Sequence, residues 1–185
     1  MGYGSRAKFF HDLILIWIRS DPKRFMDILA RYKSWIWLKG TPVFVQIEWR
    51  GMSKWDRRIM FFYDVYMKVY APYRDDPHKM RYYHIFIEVK TGTYSDQWLE
   101  QLEKEYAYKS HNKLNPHSDD YPILLFIARG SEIEKLRTKL KSERGSYPTG
   151  YLLFFELEKL MPYILSSVSE LFDEFRGASS FDIKQ

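Results

Sequence analysis

An acid and a base, Glu88 and Lys90, stand two residues apart at the end of the apolar run His84–Gly92. The residues before them are β-branched or aromatic, which predicts a buried strand. Residues two apart in a strand point to the same face, so we expect the carboxylate and the ammonium side by side. A buried charge is costly unless a partner or a cation compensates it. A cation-binding carboxylate beside an ammonium suits phosphate chemistry.

A second acid in an apolar strand is Asp64, which is the only acidic residue between positions 58 and 70. If the strand register permits, Asp64 and Glu88 converge, and with the Val89 carbonyl they offer the oxygen ligands that Mg²⁺ prefers. The metal would polarise a phosphodiester and activate a water, while Lys90 would orient that water or stabilise developing charge. Glu48, in the strand before, is a candidate third acid.

Hydrophobic periodicity predicts the order α-α-β-β-β-α-β-α-β-α. Short connections between the first three strands favour an antiparallel meander, and helices between the later strands favour parallel crossovers. We therefore expect an α/β fold, a three-layer sandwich with a central mixed β-sheet, in one domain over residues 1–185. The predicted helices are 5–19, 22–38, 96–109, 131–142 and 162–175, and the predicted strands are 43–49, 58–70, 81–90, 121–128 and 152–156.

The helix predicted after the third strand carries Gln97 and Gln101, one turn apart on a face distinct from its Leu99 and Leu102 stripe. A glutamine on that face could hold a water or a phosphate oxygen over the strand end. Solvated helix residues are the simpler alternative for both glutamines.

An acid on a second strand, Glu-x-Lys at the end of a third, and a following helix with glutamine together resemble the PD-(D/E)xK nuclease superfamily. The resemblance covers roughly residues 22 to 128. Members such as archaeal Holliday-junction resolvases and small nucleases of archaeal viruses are also similar to this chain in their compact size. It implies a restriction-endonuclease-like αβββαβ core, here with a C-terminal αβα extension, and Mg²⁺ or Mn²⁺ as cofactor. The residues implied are Asp64, Glu88 and Val89 as metal ligands, Lys90 as the catalytic lysine, and Gln101 (or else Gln97) as the motif glutamine. Asp27, with Glu48 as a strand-borne substitute, is the nearest match to the acid that many members carry on the first helix.

Composition limits the classes of function. Hydrophobic residues make up 45% and aromatic residues 18% of the 185 residues, which excludes a disordered chain. The absence of cysteine excludes disulfides, thiolate zinc sites and cysteine nucleophiles. The apolar run Leu13–Ile18 is too short to span a bilayer, so we expect no membrane partner and a cytoplasmic protein, in the host cytoplasm if viral.

A formal net charge of +5 fits a polyanionic partner. Basic residues cluster in the loops expected to flank the strand end, although ordinary solubility explains any one of them. The candidate nucleic-acid contacts are Lys54, Arg57, Arg58, Arg74, Lys79, Lys109 and Lys113. DNA is the expected partner, with RNA and a homodimer left open.

Two functions from different classes fit this pattern. One is a metal-dependent nuclease that hydrolyses DNA phosphodiester bonds by metal-activated water. The other is a non-catalytic nucleic-acid-binding or assembly protein with the same fold, in which Glu88 and Lys90 are only an ion pair and Asp64 is satisfied by its neighbours.

Overall fold

A computed structural model of the chain describes residues 3–52, 60–73, 75–102, 120–144 and 152–179. The helices are α1 (Tyr3–Ser20), α2 (Pro22–Tyr32), α3 (described over 96–102), α4 (Gly130–Arg144) and α5 (Met161–Ser179). The strands are β1 (Thr41–Met52), β2 (Met60–Pro72), β3 (Met80–Lys90), β4 (Asp120–Ala128) and β5 (Leu152–Glu156). The predicted order of elements and the α/β class are confirmed.

The strands form one open mixed sheet in the order β1-β2-β3-β4-β5. The pairs β1–β2 and β2–β3 are antiparallel, whereas β3–β4 and β4–β5 are parallel. The predicted meander and parallel crossovers are therefore confirmed. In a parallel arrangement the carboxyl ends of β3 and β4 lie at the same edge of the sheet, so Lys90 pairs with Ala128 at that edge.

Helices cover both faces of the sheet. On one face, apolar side chains of α1, α2 and α5 pack against alternate residues of β2 and β3, such as Val65, Ile85 and Ile87; we call this the first layer. On the other face, α3 and α4 pack against Phe86 and Phe126; we call this the second layer. Burial of apolar surface on both faces is the main force that holds the sheet in place.

The helix α2 begins as its sequence predicts, because Asp21 accepts a hydrogen bond from the Arg24 backbone N–H at 2.9 Å and Pro22 follows it. It ends at Tyr32, however, not at Leu38. Residues 33–35 are extended and a 3₁₀ turn follows at Ile36–Lys39. This break buries Trp37 in the first layer, so tertiary packing overrides the helical period.

Gly40 ends this turn and lies against β2. A Cβ at Gly40 would stand 2.5 Å from the Tyr70 carbonyl oxygen and 2.5 Å from the Ala71 Cβ. Glycine is therefore required here by the close approach of two backbones. Among the described helices, none is long and apolar enough to cross a membrane.

Candidate active site

The strands β2 and β3 separate at one point of the sheet. Their pairing runs from Pro72↔Met80 to Val65↔Ile87. Beyond it, β2 continues along β1 to the pair Met52↔Met60, and β3 continues along β4 to Lys90↔Ala128. A gap therefore opens between the two central strands beside the last residues of β3.

Asp64 lies in this gap. Its Oδ2 accepts a hydrogen bond from the backbone N–H of Val89 at 2.7 Å, where a paired strand would have offered a carbonyl. The N–H and C=O of one strand residue point to the same side of the strand, so the Val89 carbonyl faces the same gap. The Asp64 carboxylate thus reaches β3 at the residue between Glu88 and Lys90.

The orientation of Asp64 depends on an interruption of the strand pleat. Residues two apart normally share a face, yet Tyr63 packs in the second layer and Val65 in the first. The same change of face separates Ile47 from Trp49 in β1, and Glu48 between them has a φ of 51°. Simple alternation would put Asp64 and Tyr66 on one face of β2, and it does not hold at this place.

Glu88 and Lys90 form an ion pair at the end of β3, with Lys90 Nζ 3.0 Å from Glu88 Oε2. The Glu88 side chain is only 2% exposed and the Lys90 side chain 20%. Glu88 is in register with Phe126, so this pair continues the second-layer face of β3. A carboxylate in such surroundings strongly favours a nearby positive charge.

A residue that sequence reasoning missed, His11 on α1, contacts Asp64. Its Nε2 lies 3.2 Å from Asp64 Oδ1, and its Nδ1 lies 3.3 Å from Asp12 Oδ1. The hydrogen bond to Asp64 raises the pKa of His11, with the negative charges of Asp64 and Asp12 adding to it and partial burial opposing it. The start of α1 is fixed over the end of β3, because Thr91 Oγ1 donates to the Ala7 carbonyl at 3.0 Å.

No spacing in the sequence connects His11 with Asp64, because the two residues meet only through the docking of α1 on the sheet. The only hint of this contact in the sequence is the apolar periodicity of α1. It predicts that α1 packs on the sheet, but it does not indicate which end of the helix meets which strand.

The helix α3 begins at residue 96 and is fixed to α4. Glu132, buried at the start of α4, accepts the backbone N–H of Tyr94 at 2.7 Å and pairs with Lys135 at 2.9 Å. The hydrogen bond from the Tyr94 N–H, and to a smaller extent the one from Lys135, lowers the pKa of Glu132. On α3, Leu99 and Leu102 are buried as predicted, Gln101 is half-buried and Gln97 is exposed.

Of the other candidate residues in the described part of the chain, Glu48 lies next to Asp64, whereas Asp27 and Lys79 lie elsewhere. Glu48 is exposed and lies across from Asp64, between the pairs Ile47↔Val65 and Trp49↔Tyr63. Asp27 is on the exposed side of α2, where it pairs with Lys23 at 2.7 Å. Lys79 pairs with Asp76 at 3.3 Å in the β2–β3 connection, at the opposite end of β3 from Glu88. The candidates outside the described residues are Lys54, Arg57, Arg58, Arg74, Lys109 and Lys113.

The donor set suits a hard cation. Within the described ranges, no group of three or more His, Asp or Glu side chains is arranged to hold a metal. The ligands predicted from the sequence are the carboxylates of Asp64 and Glu88 and the carbonyl of Val89. Mg²⁺ is usually bound through one or two carboxylates while it keeps several waters. Each carboxylate has about four acceptor positions, so the bonds of Asp64 to His11 and Val89 do not exhaust its capacity. Asp64, Glu88 and Val89 therefore fit such an ion by their chemistry.

A scan of protein-family models finds no match to this chain, and searches of curated proteins and of solved structures find no significant similarity.

Proposed function

We propose that the protein is a metal-dependent nuclease of the PD-(D/E)xK type that hydrolyses phosphodiester bonds of DNA. The observation that carries the proposal is the contact of the Asp64 carboxylate with the backbone of Val89, between Glu88 and Lys90. It brings an acid from a second strand to a Glu-x-Lys segment at the point where the two strands separate. A merely structural ion pair of Glu88 and Lys90 would not require Asp64 there.

The residues would divide the work as follows. Asp64, Glu88 and the Val89 carbonyl would hold Mg²⁺ or Mn²⁺, which when bound supplies polarisation of a phosphodiester and acidification of a water. The ammonium of Lys90, held 3.0 Å from Glu88, would stabilise negative charge that develops on the phosphate. His11 would position Asp64, since its ring restrains one carboxylate oxygen at 3.2 Å while Val89 restrains the other.

The order of elements supports the same proposal for the fold. An antiparallel meander β1–β3, then a helix and a parallel β4, is the order of elements that the resemblance implies for a restriction-endonuclease-like αβββαβ core. The elements α4, β5 and α5 would then be the C-terminal extension. Gln101 and Gln97 on α3 are proposed as the glutamines that contact a phosphate or a water.

Cleavage of a panel of substrates tests the proposal. Linear, nicked, single-stranded and branched DNA, with matching RNA, are incubated with the protein in Mg²⁺, in Mn²⁺ and in EDTA. We expect metal-dependent cleavage that falls at least about 100-fold in Glu88→Gln and Lys90→Met, because each removes charge from the reacting region.

Glu134→Gln is the matched control, because Glu134 also pairs with a cation, Arg137 at 2.7 Å, but on the exposed side of α4. We expect it to cleave like the wild type. Binding of nucleic acid without cleavage of any substrate in either metal would refute the nuclease and favour the alternative, a non-catalytic nucleic-acid-binding protein.

A further inference from the structure

An aromatic patch lies on the second-layer face of β1, β2 and β3, next to the residues that pack against the described parts of α3 and α4. We call it the aromatic platform, and it consists of Phe44, Tyr66, Lys68, Tyr70, Tyr82 and His84. The strand register brings these residues together, because Phe44 pairs with Lys68, Lys68 with His84, and Tyr70 with Tyr82. Three of its rings are large and open to solvent: Phe44 is 49% exposed, Tyr70 40% and Tyr82 37%.

The rings contact one another across the strands. Ring centroids are 5.9 Å apart for Phe44 and Tyr66, and 5.1 Å apart for Tyr70 and Tyr82. Tyr66 and His84 are stacked at 5.8 Å, and the Tyr66 hydroxyl lies 2.7 Å from His84 Nδ1. These contacts restrict the rings, so a ligand that stacks on them would lose little side-chain entropy from the protein.

The charge of the platform is positive. Lys68 Nζ lies 4.0 Å from the centroid of the Tyr82 ring, in the middle of the aromatic residues. The neighbouring positions on this face of β1, Thr41 and Gln46, are uncharged, and none of the six platform residues is acidic. In the neighbouring strand, Asp120 of β4 is in register with Tyr82.

Open aromatic rings interspersed with a cation match single-stranded nucleic acid, whose bases offer flat faces and whose phosphates offer negative charge. A second copy of the chain fits less well. A two-fold symmetric contact places the same patch on itself, which would bring two Lys68 ammonium groups together and cost free energy. A duplex also fits less well, because its bases are already stacked on each other.

We propose that the aromatic platform binds single-stranded nucleic acid, with bases stacked on Phe44, Tyr70 and Tyr82 and a phosphate at Lys68. Tyr82 and Glu88 share one face of β3 and are about 20 Å apart at about 3.3 Å per residue. The other end of the platform is closer, because Tyr66 is in register with Phe86, two residues before Glu88. A strand that runs along the platform would therefore lead towards the candidate active site. Binding at the platform does not depend on the proposed cleavage.

Fluorescence anisotropy in EDTA tests this inference, since EDTA prevents metal-dependent cleavage and leaves stacking intact. The probes are a labelled oligothymidylate, an oligouridylate of equal length, and a duplex of that length. We expect single strands to bind more tightly than the duplex. Each of Phe44→Ala and Tyr82→Ala should weaken single-strand binding by between about 5-fold and about 150-fold, the usual value of one base–ring contact.

Three controls separate stacking from loss of folding. Tyr82→Phe keeps the ring and should keep the affinity. Tyr32→Ala removes a ring that is 43% exposed on α2, outside the platform, and should not change binding. Lys68→Gln should reduce the slope of log affinity against log salt concentration by about 0.7, the value for one phosphate contact on a single strand.

Several results of these binding measurements would overturn the inference. Equal affinity for single strands and duplex, or an affinity that Phe44→Ala and Tyr82→Ala leave unchanged in folded protein, would overturn the inference. So would a dimer that these variants convert to a monomer while nucleic-acid binding stays the same. The relative affinity of the two single strands distinguishes DNA from RNA. A protein that binds as expected but never cleaves would refute the proposed nuclease and leave the platform in place.

Discussion

Asp64 is the residue on which the candidate site depends, and both of its oxygens are engaged. Val89 and His11 contact it from two different elements, β3 and α1. Glu88, in contrast, is buried beside Lys90 of its own strand. The site therefore combines a local pair, which the sequence predicts by spacing, with contacts over long sequence distances, which it does not.

The hydrogen bond between His11 and Asp64 predicts a pH dependence of stability. Asp64 raises the pKa of His11 above its ordinary value near 6.5. The charged form is therefore favoured by folding, so this contribution is complete below pH 6.5 and is lost as the pH rises through the folded-state pKa. Urea unfolding in EDTA should show that His11→Gln costs about 1–2 kcal/mol below that value and less at alkaline pH.

His78→Gln is the matched control for this measurement, because His78 is exposed in the β2–β3 connection and its described hydrogen bond to Asp76 uses the backbone N–H. We expect His78→Gln to have the same free energy of unfolding as the wild type. A cost of His11→Gln that does not change with pH would contradict a charged His11–Asp64 contact.

The burial of the Glu88–Lys90 pair predicts a strong coupling between the two side chains. Lys90→Met, Glu88→Gln and the double variant form a cycle of unfolding free energies, measured by denaturant titration. We expect a coupling of about 1–3 kcal/mol, because loss of one charge strands the other in a buried place. The comparison pair Lys23–Asp27 is shorter, at 2.7 Å against 3.0 Å, but both of its side chains are more than half exposed.

For Lys23–Asp27 the same cycle should give about 0.3–0.5 kcal/mol, the usual value of an exposed pair one helical turn apart. Equal coupling in the two cycles would mean that burial does not strengthen the Glu88–Lys90 pair.

At the scale of elements, the sequence predicts which segments are helices or strands but misses where their regular geometry is interrupted. The helix α2 ends six residues early (Tyr32 against Leu38), since burial of Trp37 outweighs its helical period. In β1 and β2 the side chains on either side of Glu48 and of Asp64 pack in different layers of the fold. Glu48 has a positive φ, which a glycine or an asparagine would have suggested from the sequence but a glutamate does not.

The close approach at Gly40 gives a prediction for the connection between α2 and β1. In Gly40→Ala the added methyl group would meet the Tyr70 carbonyl oxygen and the Ala71 Cβ, both at 2.5 Å. We expect a loss of about 1–3 kcal/mol in the free energy of unfolding, the usual cost of overpacking.

Gly92→Ala provides the control, because a Cβ there would meet nothing within 4 Å. Its effect should stay within about 0.5 kcal/mol. Equal stabilities of the two alanine variants would contradict the packing described between Gly40 and β2.

At the scale of the whole molecule, the fold class follows from the order of elements, and this order was predictable because each segment has a clear hydrophobic period. The arrangement of helices on both sides of the sheet is predictable as well, because the apolar strands β3 and β4 have to be covered on both faces. What the sequence left open was the register of β2 on β3 and the docking of α1, which depend on packing between distant residues. These two features determine whether Asp64, Glu88 and His11 meet.

The measurement that tests the central claim most directly is binding of Mn²⁺ to the protein, followed by electron paramagnetic resonance. The claim is that Asp64 on β2 and Glu88 on β3 serve one cation. We expect one site per chain, with affinity reduced at least about 10-fold in both Asp64→Asn and Glu88→Gln, as for loss of a ligand, and unchanged in Glu134→Gln. No bound Mn²⁺, or a site that survives either Asp64→Asn or Glu88→Gln, would contradict a shared metal site.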